Sequence, residues 1–313
     1  MDKTFNDLVQ EQRTFFNSGT TKRIDYRKKQ LKKLKALLKE NEQKMMDAIH
    51  EDFKKSSFDT FTNELALVYL DIDEAIHKLS VWSKRRKVKT NLLNFPARSF
   101  IQPEPLGVSL IIGAWNYPFQ LSFAPAVAAI AAGCTVVLKP SEVPARTSQL
   151  MSEMISSAFE SNFFHVVQGG VEETTKLLDQ DWDKIFFTGS VPVGKIVYQA
   201  AAKRLIPVTL ELGGKSPAFV SANSNLDIAV RRIVWGKFLN AGQTCIAPDY
   251  VMVEHSIQDK FIAKLIERIK EMDFDFEKEN YVQIINEKNL SRLERLVDDN
   301  KVCFGGTVDK DSR

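Results

Sequence analysis

The sequence predicts an α/β protein: a helical N-terminal segment, a doubly wound parallel sheet, and the start of a second α/β domain. Three observations carry this. From Gly107 onward, short apolar runs alternate with runs of helical period, the pattern of βαβ units that close a parallel sheet. Before Thr90 the apolar positions fall instead at helical spacing on lysine-rich segments. At 313 residues the chain exceeds what one hydrophobic core ordinarily supports, so two domains are expected.

The elements follow in order. Leu31, Leu34, Leu37 and Leu38 fall at i, i+3, i+6 and i+7 with lysines between them, an apolar stripe on a basic helix. A second helix is expected from Asp59 to Trp82, with Leu65, Val68, Tyr69, Ile72, Ile76 and Leu79 on one side. The basic run Lys84-Arg85-Arg86-Lys87-Val88-Lys89 reads as its solvated end, because it lacks the interleaved aromatics of a single-strand nucleic-acid groove. Pro96, Pro103 and Pro105 punctuate a strand-like connection. Then strands at 108–112, 135–138, 164–167 and 184–187 alternate with helices at 118–132, 145–159, 171–178 and 191–203. A second domain starts near Leu210, with a helix over 227–239, a strand over 250–253 and a helix over 258–272. The run Val302–Val308 reads as a strand entering a turn.

Composition narrows the function. Hydrophobic residues at 44% and charged ones at 27% are ordinary for a globular chain. A net charge of +3 is too small to imply a nucleic-acid partner. Three cysteines, widely spaced and odd in number, suggest neither a disulfide framework nor a zinc site, and fit a reducing, cytoplasmic setting. His50, His77, His165 and His255 show no metal-ligand spacing, so no metal is expected. The N-terminus has no apolar leader, and the most apolar stretch, Leu121–Leu138, is interrupted by Pro125 and Gly133, so it reads as a buried helix and strand and not a membrane span.

Two residues stand out chemically. Cys245 lies in Asn240-Ala241-Gly242-Gln243-Thr244-Cys245-Ile246-Ala247-Pro248, and Glu211 in Leu210-Glu211-Leu212-Gly213-Gly214-Lys215. A soft nucleophile in a turn and a carboxylate at a strand end suit a two-step covalent reaction, the second step needing activated water. A buried structural thiol is the common fate of cysteine, and Cys134 and Cys303 are read that way. The alternative for Glu211 is a strand-end ion pair. Asn116, in Trp115-Asn116-Tyr117-Pro118-Phe119, has a neutral amide able to donate to an oxyanion, or simply to shape a turn. Phe187-Thr188-Gly189-Ser190-Val191-Pro192-Val193-Gly194 closes a strand and opens a helix, where bare backbone and unpaired N–H groups suit a pyrophosphate. By itself that spacing is weak.

These motifs, with Leu138-Lys139-Pro140-Ser141-Glu142 between them, resemble in content and order the aldehyde dehydrogenase superfamily, and the short N-terminal extension resembles its class 3, fatty-aldehyde branch. The resemblance implies a Rossmann-like NAD(P)-binding domain over 1–209, with a strand for oligomerisation near 95–106, and a partial catalytic domain over 210–313. It implies Cys245 as nucleophile, Glu211 as the base for the hydrolytic water and Asn116 as oxyanion donor. Trp115, Lys139, Glu142, Gly189, Ser190 and Gly194 are implied at the cofactor. Glu142 should accept from the adenine ribose 2′-hydroxyl, favouring NAD while leaving NADP open. The expected partners are an aldehyde, medium-chain or aromatic given Trp115, Tyr117 and Phe119 as a tunnel lead-in, and a second copy in a homodimer. Family members continue well past the equivalent of Arg313 and carry a Glu-Ile-Phe-Gly-Pro motif for the nicotinamide ribose. That motif has no match here, so a C-terminally truncated chain, and as the alternative an inactive remnant, is expected. A cofactor-free thiol esterase would use Cys245 and Glu211 but leave the Gly189–Gly194 turn unexplained.

Overall fold

The computed structural model describes residues 4–275 and 277–313. The chain divides into two compact units, Met1–Met45 with Phe61–Glu211, and Met46–Thr60 with Leu212–Arg313.

The first unit opens with α1 (Phe5–Asn17), started by a capping box in which Thr4 accepts from the Asp7 N–H and Asp7 accepts from the Thr4 N–H. Gln12 is fully buried on α1 and donates to the carbonyls of Val136 and Ser161. α2 (Ile24–Glu40) buries the predicted leucine stripe. α3 (Glu42–Phe53) straddles the division, and α4 (Ser57–Thr60) leads into α5 (Ala66–Trp82) through a π turn at Phe61–Leu65. The expected single helix over 59–82 is therefore interrupted, and the wide turn buries Glu64.

The basic run is not a helix end. The helix stops at Trp82, and β1 (Arg86–Val88) pairs antiparallel with β2 (Ser99–Ile101) as an exposed hairpin. Side chains explain the outcome: the Ser99 N–H donates to Thr90 Oγ1 at 3.0 Å, and the Arg85 guanidinium lies 3.5 Å from the Phe100 ring centre.

The doubly wound sheet follows as expected: β3 (Val108–Ile112), α6 (Gln120–Ala132), β4 (Thr135–Lys139), α7 (Ala145–Ala158), β5 (Phe164–Val166), α8 (Val171–Leu178), β6 (Lys184–Gly189), α9 (Val191–Ala202) and β7 (Val208–Leu212). The strand order is β5-β4-β3-β6-β7, with β4 and β6 both parallel to β3. Every residue of β3 and β4 is buried, as a parallel sheet covered on both faces requires. The order reverses at β3, so a crevice is expected outside the carboxyl ends of β3 and β6.

α6 lies against α2 and α5 and is apolar throughout apart from Gln120 and Ser122. Its ends need partners because terminal N–H and C=O groups have none within the helix. At the amino end, the buried Glu64 carboxylate accepts from the Phe119 N–H at 2.8 Å and more weakly from Gln120 at 3.3 Å. At the carboxyl end, the buried Arg27 guanidinium donates to the Ala131 carbonyl, and also to the carbonyls of Thr21 and Lys22. Opposite charges thus meet the two ends of the helix dipole.

The second unit contains β8 (Pro217–Val220) parallel to β9 (Tyr250–Val253), joined through α10 (Leu226–Phe238), with α11 (Gln258–Met272) against α10. Val220, Val230, Val234 and Phe261 form its core. α12 (Glu287–Glu294) follows. The strand expected over 302–308 is absent: Gly305 and Gly306 both take positive φ, which breaks an extended run. Among the described residues no helix is long and apolar enough to cross a membrane.

Arg27→Met keeps much of the side-chain volume but orphans the buried Thr21 and Ala131 carbonyls. It should lower unfolding free energy by roughly 2–4 kcal/mol, from unmet buried acceptors. A urea midpoint unchanged from wild type would show that Arg27 does not hold the end of α6.

Candidate active site

In the first unit, the sheet brings the predicted residues to one edge. Trp115 and Asn116 follow β3, Lys139 closes β4 with Glu142 just beyond it, Gly189 closes β6, and Glu211 lies near the end of β7. The Gly113 N–H donates to the Lys139 carbonyl at 3.0 Å, joining the ends of β3 and β4.

Lys139 is the buried charge of this edge. Its side chain is 2% exposed, its ammonium donates to the Pro140 carbonyl at 2.7 Å, and it lies 3.5 Å from the half-exposed Glu142 carboxylate. Burial pushes its pKa down and Glu142 pulls it partly back. Ser190, exposed, precedes α9, and Gly194 is buried in the first turns of that helix. A Cβ on Gly189 would come within 2.6 Å of the Phe187 ring, so this strand-to-helix turn needs glycine. Thr188 Oγ1 is buried with no hydrogen-bond partner among the described residues. Glu211 is exposed, and Trp115 and Asn116 are partly so. Tyr117 and Phe119 are both buried, and Phe119 stacks on Phe123 within α6.

Cys245 belongs to the second unit, beyond α10, on a turn with unusual backbone. Asn240, Ala241 and Gly242 take φ of 55°, 52° and 74° in succession. Left-handed non-glycine residues cost on the order of 1–3 kcal/mol each and persist only where the surroundings hold them. Gln243 supplies that hold. Its Nε2 donates to the carbonyls of Asn240 and Gln283, both at 3.1 Å, and its Oε1 accepts from the Ile285 N–H at 3.0 Å. The next turn is closed by the Ala247 N–H donating to the Thr244 carbonyl. Cys245 and Ile246 sit at its corner, exposed.

The other thiols differ. Cys134 is buried, and burial pushes its thiol pKa up, against nucleophilic use. Cys303, expected to be buried, is exposed, because its segment does not form the anticipated strand. Among the described residues no three His, Cys, Asp or Glu side chains gather to hold a metal.

Sequence reasoning assigned no role to Gln243, although the motif contains it, or to Glu64 and Arg27. Glu64 lies 55 residues from the amide it caps, and no local pattern announces that contact.

A profile described as "Aldehyde dehydrogenase family" matches residues 2–310. The aldehyde dehydrogenase family 3 member A2 of Pongo abelii is 44% identical over 307 residues, covering 97% of this chain and 63% of that protein. The dimeric NADP-preferring aldehyde dehydrogenase of Rattus norvegicus is 43% identical, covering 99% of this chain and 69% of that protein. A solved structure described as the substrate-bound state of Staphylococcus aureus AldH superposes with TM-score 0.95 at 41% identity, covering 98% of this chain and 68% of that one. The chain belongs to the aldehyde dehydrogenase family. It spans about 63% of the length of the Pongo abelii relative.

Gly242→Ala tests the strained turn. A Cβ there would lie 3.0 Å from the Lys237 carbonyl oxygen at a φ that disfavours it. The substitution should cost about 1–2 kcal/mol of stability and alter the rate at which iodoacetamide alkylates Cys245. Wild-type values of both would mean the turn does not depend on glycine.

Proposed function

We propose that the protein oxidises aldehydes to carboxylic acids with NAD(P)+, residues 1–209 forming the cofactor-binding domain and residues 210–313 belonging to the catalytic one. The observation that carries this is the Cys245 thiol, exposed at the corner of a strained, cross-braced turn, in a chain of this family.

The carboxyl edge of the sheet has features that fit a dinucleotide: an unpaired buried hydroxyl at Thr188, bare backbone at Gly189, and the start of α9 beyond it. Trp115, Lys139, Glu142, Gly189, Ser190 and Gly194 would hold it. When bound, the nicotinamide supplies a hydride acceptor. The Glu142 carboxylate disfavours a 2′-phosphate and so favours NAD. The adjacent Lys139 ammonium offsets this, consistent with an NADP-preferring relative.

The chain's own residues do the remaining chemistry. The Cys245 thiolate adds to the carbonyl carbon, and the C=O electron pair moves onto oxygen. The Asn116 amide donates a hydrogen bond to that oxyanion, a contact whose loss typically costs about 10²–10³ in rate. Departure of the C–H hydrogen with its electron pair leaves a thioester on Cys245. Glu211 takes a proton from water as the water oxygen attacks the thioester. The C–S bond then breaks, the acid leaves and the thiolate returns.

Medium-chain or aromatic aldehydes are the proposed substrates, with Trp115 the partly exposed aromatic of the lead-in. A homodimer is proposed from the exposed Leu92, Leu93 and Phe95 of the β1–β2 hairpin and the printed name of the dimeric rat relative. Three free cysteines suit a reducing, cytoplasmic compartment.

Two variants test the roles. Cys245→Ala should abolish both NAD(P)H formation from hexanal and thioester formation. Glu211→Gln should release about one equivalent of NADH per site in a burst and then stall as the acyl-enzyme, since only deacylation needs the base. A Glu211→Gln variant without a burst moves Glu211 ahead of hydride transfer, and one with unchanged turnover removes it from the mechanism.

A further inference from the structure

We propose that Glu64 is a positioning residue for this reaction: by binding the buried amino end of α6 it holds the Trp115–Phe119 turn that carries Asn116. The inference rests on the reading of Asn116 as the oxyanion donor.

The geometry is specific. Glu64 is fully buried, yet it comes from a different helix than the one it caps. It reaches α6 from the π turn Phe61–Leu65, and π turns of this kind are frequent at functional sites. Its Oε2 accepts from the Phe119 N–H at 2.8 Å and from the Gln120 N–H at 3.3 Å. A carboxylate shut away from water is tolerable only where donors meet it, and helix-end N–H groups supply both hydrogen bonds and positive potential. Charge-assisted bonds of this kind are about twice as strong as neutral ones.

The anchored amide ends the turn containing Asn116. Phe119 is itself fully buried and stacked on Phe123, so the far side of that turn is packed as well as hydrogen-bonded. Its near side is fixed to the sheet through the Gly113–Lys139 hydrogen bond. With Arg27 holding the carboxyl end, α6 is restrained against sliding along its axis. An oxyanion donor needs that restraint, because a displacement of about 1 Å can cost on the order of 10²-fold in rate. Buried as it is, Glu64 acts on the site through the backbone it binds.

The test compares Glu64→Gln and Glu64→Ala in the full-length protein, each alone and combined with Asn116→Ala. Glu64→Gln retains one acceptor oxygen, so it carries the test if Glu64→Ala does not fold. Hydrogen exchange at the Phe119 and Gln120 amides should rise by about tenfold or more, while β8 and β9 keep their protection. Single-turnover NADH formation from hexanal should fall by roughly 10- to 100-fold, with the dissociation constant for NAD+ unchanged. In the Asn116→Ala background the Glu64 substitution should cost little further, because its effect runs through Asn116. An equal fold-loss in both backgrounds would reduce Glu64 to a stabilising cap, and unchanged exchange at the two amides would overturn the anchoring itself. A wild-type protein forming no NADH from aldehydes would instead sink the proposed function, and the exchange measurement would still decide whether Glu64 anchors the turn.

Discussion

The structure of the first unit turns on the two ends of α6. A helix with one face buried, whose first amide and penultimate carbonyl belong to buried residues, cannot leave those groups unpartnered, so other elements meet them. Glu64 meets the amino end and Arg27 the carboxyl end, each from another helix. Each of these contacts is local in space and remote in sequence. Together they tie α2, the π turn before α5, and α6 into one support behind β3 and β4.

That support serves the sheet edge. A parallel sheet delivers the carboxyl ends of its strands, and the loops leaving them, to one side of the molecule. Here the loops bring a buried lysine paired with a half-exposed glutamate, a glycine turn beside an unpaired hydroxyl, and the Asn116 turn to the same edge. The second unit solves a different problem. It exposes a thiol while holding its backbone still, by setting Asn240, Ala241 and Gly242 in the left-handed region and bracing them through Gln243. Strain of this kind persists only when several contacts over-determine the conformation.

Much of this was legible beforehand. The strands of the doubly wound sheet and most of its helices were readable because apolar period and glycine or proline punctuation are local signals. The motifs around Asn116, Lys139, Gly189, Glu211 and Cys245 were readable through their joint resemblance to the aldehyde dehydrogenase family. Misreadings arose where a partner made the decision. The run Lys84–Lys89 looks like a helix end until Ser99–Ile101 pairs with it, and the run Val302–Val308 looks like a strand although no strand forms there.

The sequence by itself determined the fold class and the order of the sheet's elements, because side-chain type and spacing are enough for each. Only the tertiary structure decided that Glu64 and Arg27 cap one buried helix, that Lys139 keeps its charge out of water, and that Cys245 is exposed while Cys134 is not. Burial and partnership depend on which distant segments meet, and desolvation, dipoles and hydrogen bonds take their magnitude from that meeting.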